Sequence, residues 1–255
     1  MARNMAAAEI VGTGGSASSF ISRVDRLALW RLTDASLPAG AFAHSLGVEA
    51  AVRHALVPAG EYARLVEMIV ENAAAMFMPT VLKAHANPTM KTVRELSDVL
   101  DAKLAPNEVA RKASVSNARG LARAAEAAFA TQIKQRLRKE DVEELMRATD
   151  DVHHAAVFGL VARACGATLH DAAMAFLHSA ARDATSALTR LGAIGPTAAA
   201  SILADVAAVV VQTSDESVDA FHRGDLQPMD AYCATPMIEL AQAAHGALQP
   251  RLFRS

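Results

Sequence analysis

The sequence predicts an all-α protein, a single-domain bundle of about ten helices behind a disordered N-terminal tail. Three observations carry that fold class. Apolar residues recur with the 3.6-residue period of a helix along most of the chain. Alternating β-branched or aromatic runs bounded by Asn-Gly or Asp-Gly turns are missing. Aromatic residues make up only 4% of the chain while alanine is abundant, which suits helices packed closely through small side chains.

The first stretch, Met1 to Ser19, carries Arg3 and many small residues but is broken by Gly12, Gly14 and Gly15. It lacks the apolar segment of a secretory signal, and its composition predicts a disordered tail. With no break in composition afterwards, residues 20–255 are expected to form one domain. Ser36 to Ser45 sets Pro38 and Gly40 between two helical patterns, which predicts a sharp turn that brings the next helix back onto the first.

From Tyr62 on, Leu65, Val66, Ile69, Ala73, Met76 and Phe77 fall on one helical stripe. Thr168 and Asp171 have the spacing of a capping box. The stripe that follows (Leu169, Ala173, Phe176, Leu177, Ala180, Ala184, Ala187, Leu188, Leu191) predicts a long central helix. Gly195-Pro196 starts another helix with Ala199, Ile202, Leu203, Val206, Val209 and Val210 on its inner face, and the Val209 to Val211 run reads as a buried helix face. Thr235-Pro236 repeats that start before Leu240, Ala241, Ala244 and Leu248, with an end at Pro250. Flexible connections are expected before Phe20, around Asn87-Pro88, over the charged stretch Lys134 to Glu144, and from His222 to Pro228.

A formal charge of −2 gives no reason to expect a nucleic-acid binder, so a protein partner or small ligand is the expected class. Two cysteines, Cys165 and Cys233, make no disulfide framework and fit a reducing compartment as small apolar fillers. The longest apolar run, Val206 to Val211, falls far short of the ~20 residues that cross a bilayer, so a soluble, cytoplasmic protein with no membrane partner is expected.

Catalytic patterns are missing too: the sequence contains no GxxxxGK[ST], HExxH or GxSxG. Gly12 to Ala17 fits a loose GxGxxA pattern with no strand before it. Asp150, His153 and His154 could place imidazoles and a carboxylate on one helix face. Asp150 and Asp151 also stand where a helix should begin, and capping is the simpler reading. His178 lies off its stripe and reads as a surface or interhelical group, while His170 and His222 have no matching partners in sequence. No closed metal site follows from these spacings.

Two segments are not explained by helix chemistry. One is the turn, with Pro38, Gly40, Phe42, His44 and Ser45 as its candidate residues. The other is the terminus Arg251, Leu252, Phe253, Arg254 and Ser255, where two arginines flank two large apolar residues. Arginine and aromatic residues carry interface energy, so the terminus reads as a docking peptide, with a tail folded onto its own core as the alternative.

Leu37-Pro38-Ala39-Gly40-Ala41-Phe42-Ala43-His44-Ser45-Leu46-Gly47-Val48-Glu49 resembles the LP-x-G-[AG]-F-x-[HY]-S-x-G-[LV]-E segment of the UreF family of urease accessory proteins. Arg251-Leu252-Phe253-Arg254-Ser255 resembles that family's RLFxS ending. Lys112 to Ser116, His153 to Leu160 and Thr189 to Pro196 are similar to segments of its plant-like and fungal-like branch, and the likeness runs over about residues 25–255. The family often has Tyr where His44 stands, and Gln or Glu near Ala247, Leu248 and Gln249.

The resemblance implies an all-α, non-catalytic scaffold that dimerises and binds a UreD-type (UreH-type) accessory protein. Through that complex it recruits the GTPase UreG, loads nickel into the urease apoprotein and modulates GTP hydrolysis. On this reading the chain holds no tight cofactor or metal: nickel is handled by the complex and GTP by the partner. The tail Arg251 to Ser255 is expected to become ordered when the UreD-type protein binds, with Arg254 hydrogen-bonding near the Gly40 to Ser45 turn. The other two readings are a helical metal-binding enzyme using His153 and His154, and a helical adaptor unrelated to urease.

Overall fold

The computed structural model describes residues 17–39, 43–147 and 151–254, with only the backbone path for residues 17–24. Its described residues form ten α-helices and no strand. These are α1 (Ala17–Leu32), α2 (Val48–Arg53), α3 (Tyr62–Ala86), α4 (Met90–Leu104), α5 (Glu108–Arg136), α6 (Lys139–Arg147), α7 (His154–Ala164), α8 (Leu169–Arg190), α9 (Pro196–Arg223) and α10 (Pro236–Ala244). Single 3-10 turns cover Pro228–Asp230 and His245–Ala247.

The centre of the bundle is α7, a short helix with Ala155 to Ala162 and Ala164 all buried. It packs against α3 and α5, while α8 and α9 also pack on α3. Gly159 makes the α7–α3 crossing possible, because a Cβ there would sit 2.3 Å from the Val81 carbonyl oxygen and 2.9 Å from the Ala84 Cβ. The α3 stripe predicted from Leu65 to Met76 is buried, with Phe77 packed at its edge. On α8 the expected capping box is formed: Thr168 Oγ1 accepts from the Asp171 amide at 3.1 Å, and Asp171 Oδ2 accepts from the Thr168 amide at 3.0 Å. Pro196 opens α9 at the first helical position, and Val206, Val210, Ser214 and Val218 face inward.

Several expectations are corrected. Residues 17–19, assigned to the tail, belong to α1; the rest of the Met1 to Ser19 reading lies outside the described residues. Lys134 to Glu144 is not a loop, because α5 runs to Arg136 and α6 starts at Lys139, with Arg138 paired to the buried carboxylate of Asp141 at 2.6 Å. The connection from His222 is shorter than expected, since α9 continues to Arg223 and is capped by left-handed Gly224. The last helix ends at Ala244 rather than Pro250, and its inner face is Ile238 and Ala241, which leaves Leu240 69% exposed. Asp151 does not cap α7: its carboxylate pairs with Arg94, and the N-cap is His153. Asp150 is outside the described residues.

The helix after the Ser36 to Ser45 turn, α2, packs mainly against α10 and α8. By length and composition α3 and α9 are both apolar enough to cross a bilayer. Most of α3 is buried in the core, whereas α9 turns a large face outward, with Val211 of the expected buried run 46% exposed.

Candidate functional site

The two segments singled out in the sequence meet at α2. Leu46 and Gly47 both take left-handed backbone angles, φ 55° and 87°, to start α2. A Cβ on Gly47 would lie 3.1 Å from Gln242 Cγ and be strained besides, so glycine seats α2 tightly on α10. That places Glu49, whose side chain is fully buried, at the foot of the C-terminal tail.

Glu49 gathers four donors. Its Oε1 accepts the Leu252 amide at 2.7 Å, and its Oε2 accepts the Phe253 amide at 3.0 Å. His245 Nε2 lies 3.0 Å from Oε2, and Arg53 Nη2 lies 3.0 Å from Oε1. A buried carboxylate is costly unless paired and hydrogen-bonded. Burial pushes its pKa up; the Leu252 and Phe253 amides, His245 and Arg53 outweigh that and hold it below the ordinary glutamate value.

The tail adds two further contacts. The Arg254 amide donates to the Ala43 carbonyl at 2.9 Å, which ties the tail to the turn. Phe253 is 3% exposed, with the Arg190 guanidinium 4.2 Å from its ring centroid. Arg251, Leu252 and Arg254 remain on the surface.

Of the sequence-derived site residues, His44, Ser45 and residues 251–254 come together around α2. Pro38 stands apart on a shallow groove with Ala124 and Ala128 of α5. Gly40, Phe42 and Ser255 are outside the described residues. Within the single chain the tail is already seated, so ordering by a partner is not needed to place residues 251–254. The Phe253 ring is directed into its own core, and the contact to the turn is made by the Arg254 backbone. Glu49, His245 and Arg190 were missed as tail partners; the one signal was a glutamate inside the apolar run Val48 to Val52.

The paired histidines diverge. His153 Nδ1 is 3.0 Å from Ser114 Oγ and its Nε2 is 3.3 Å from Asp101 Oδ1, which also receives Arg111 Nε at 2.7 Å. Its amide donates to Ser97 Oγ at 3.0 Å, so this network fixes the start of α7. His154 stacks on Phe176, centroids 5.8 Å apart. Burial, then the neighbouring His44 and Arg182, push its pKa down to about 4. His44 is also held at about 4, by burial and then by Arg254 and His245. Among the described residues no three His, Cys, Asp or Glu side chains converge as a metal site.

A family model described as UreF matches residues 59–207. Urease accessory protein F of Arabidopsis thaliana is 34% identical over 227 residues, 89% of this chain and 91% of that protein. The chain belongs to the UreF family. Urease accessory protein F of Oryza sativa subsp. indica is 33% identical over 231 residues, 88% of this chain and 83% of that one. The bacterial urease accessory protein UreF of Arthrobacter sp. (strain FB24) is 28% identical over 233 residues, 90% and 97% of the two chains. The plant UreF proteins are thus similar over nearly nine-tenths of the chain, well beyond the residues matched by the family model. A role in urease maturation follows from the family.

Proposed function

We propose that this UreF-family protein is a cytoplasmic, non-catalytic scaffold for nickel insertion into urease. It docks a UreD-type (UreH-type) accessory protein through Arg251, Leu252 and Arg254, with Ser255 at the tail's end. The resulting complex recruits the GTPase UreG to the urease apoprotein and modulates its GTP hydrolysis. Nickel and GTP are held elsewhere in that assembly.

The observation that carries the docking assignment is the seating of the tail. Glu49 and Phe253 lock its backbone in place, and the Arg251, Leu252 and Arg254 side chains beside that seat are exposed. A surface tail immobilised in this way loses little further entropy when a partner arrives, so its arginines and leucine can contribute to affinity. Homodimer formation draws support from the outward face of α9, where Ala200, Ala204, Ala207, Ala208 and Val211 are exposed at helical spacing. Two such faces could approach closely around a two-fold axis.

The test is coexpression with the urease subunits and the remaining accessory proteins. Urease activity in nickel medium should depend on this chain, and the UreD-type protein should copurify with it. The metal-enzyme reading loses ground because the His153 ring is engaged by Ser114 and Asp101 while the His154 ring stacks on Phe176.

A further inference from the structure

We propose that the cavity between α3, α5, α7, α8 and α10, closed on one side by His44, Leu46 and Gly47, is a binding site for a single neutral aromatic ring carrying one hydrogen-bond donor, a phenol. Its volume is about 120 Å³. A cavity of about 150 Å³ with apolar walls binds benzene, whereas sites for drug-sized ligands run to roughly 300 Å³ and more. The space therefore takes one ring and excludes a nucleotide.

The walls set the chemistry. Phe77 and Phe176 line the cavity, and Phe176 is held edge-on to Phe77 at 6.3 Å and to Phe158 at 5.2 Å, with His154 stacked on it. Ala113 and Ala180 leave the room that larger side chains would fill. Aromatic walls in this arrangement favour an edge-on or offset ring over an aliphatic chain. Asn117, which lines the cavity and is 9% exposed, has a buried Oδ1 with no hydrogen-bond partner. An orphaned buried acceptor costs about 1–3 kcal/mol, so a ligand that donates to it is selected over one that does not. Asp183 in the wall is paired, its Oδ1 accepting from Arg182 Nε at 3.0 Å and Nη2 at 2.7 Å, yet burial outweighs that pairing and raises its pKa. An anionic ligand would meet this buried carboxylate and lose its own hydration besides.

The probe is p-cresol, the side chain of tyrosine, titrated into the full-length protein and followed by calorimetry and by intermolecular NOEs to the Phe77 and Phe176 rings. Saturable one-to-one binding is expected with Kd below about 1 mM. Ala113→Leu and Ala180→Leu, which fill the space from two different helices, should each abolish it while helix content is kept. Asn117→Leu should weaken p-cresol about tenfold, the equivalent of ~1.4 kcal/mol, and leave toluene within about twofold. No saturation at about 5 mM, or NOEs to other residues, overturns the assignment; an equal loss of toluene and p-cresol in Asn117→Leu overturns the phenol selectivity.

The ring can arrive on a protein partner or as a free phenol. Loss of UreD-type partner capture at saturating p-cresol assigns it to a partner's tyrosine, and undiminished capture assigns it to a free phenol. Failure of capture without p-cresol would sink the scaffold reading above and leave the cavity's chemistry standing.

Discussion

The Phe253 amide donates to Glu49 Oε2 at 3.0 Å, across 204 residues of sequence. Beside it the Leu252 amide donates to Oε1 at 2.7 Å, so one buried carboxylate fixes two consecutive tail amides. Glu49→Ala removes that acceptor and leaves His245 and both amides without it. A destabilisation of about 2–4 kcal/mol is expected, with the tail released. Hydrogen exchange at Leu252 and Phe253 should rise by orders of magnitude while far-UV circular dichroism stays helical; unchanged protection would show that the carboxylate does not hold the tail.

Phe253→Ala acts on the same seat from the apolar side. It empties a buried ring site and removes the face that Arg190 covers. The expected cost is about 3 kcal/mol, read as a fall in melting temperature. Arg251→Ser, on the surface, should change it by less than about 0.5 kcal/mol. A small effect of Phe253→Ala would mean that the ring is not part of the core.

Gly159→Ala tests the central crossing. The added methyl would stand 2.3 Å from the Val81 carbonyl oxygen, a backbone atom that cannot move aside alone. Helix α7 would have to lift from α3, at about 3 kcal/mol or more. Loss of soluble expression or a large drop in the urea midpoint is expected. Wild-type stability in this variant would refute the packing.

The long helices were legible in the sequence because their apolar faces keep the 3.6 period over several turns, and the Thr168–Asp171 box and Pro196 mark their starts chemically. The short elements were not. Charged residues made Lys134 to Glu144 look like a loop, yet i,i+4 pairs such as Lys139–Glu143 and the buried Asp141 make it helical. The tail's anchor types were readable, but their direction was not: whether a phenylalanine faces its own core or a partner depends on Arg190 and Glu49, which are distant in sequence. Gly47 and Glu49 were visible as part of a motif, and only the packing of α2 on α10 reveals what they do.

Acid should weaken the fold in two steps. His44 and His154 have folded pKa values of about 4 against an ordinary 6.5, so the unfolded chain takes up their protons first. Stability is then fully present above about pH 6.5 and falls as pH drops towards 4. Glu49 is depressed below its ordinary 4.5, so its contribution is present above that value and is lost as pH falls further. Chemical denaturation between pH 7 and 5 should show the first loss, and His154→Leu should flatten it. A pH-independent midpoint over that range would contradict imidazoles that are held neutral in the fold.

The central claim is that the seated tail presents its exposed side chains to a UreD-type protein during urease maturation. Truncating residues 251–255 would also remove Phe253 from the core, so the decisive variant keeps the backbone and changes the surface: Arg251→Ser, Leu252→Ser and Arg254→Ser together. The measurement is nickel-dependent urease activity in cells that coexpress the urease subunits and the other accessory proteins, alongside copurification of the UreD-type protein. The account predicts that the triple variant keeps its melting temperature within a few degrees but loses most of the partner and of the activity. Full activity and full capture from this stable variant would contradict it.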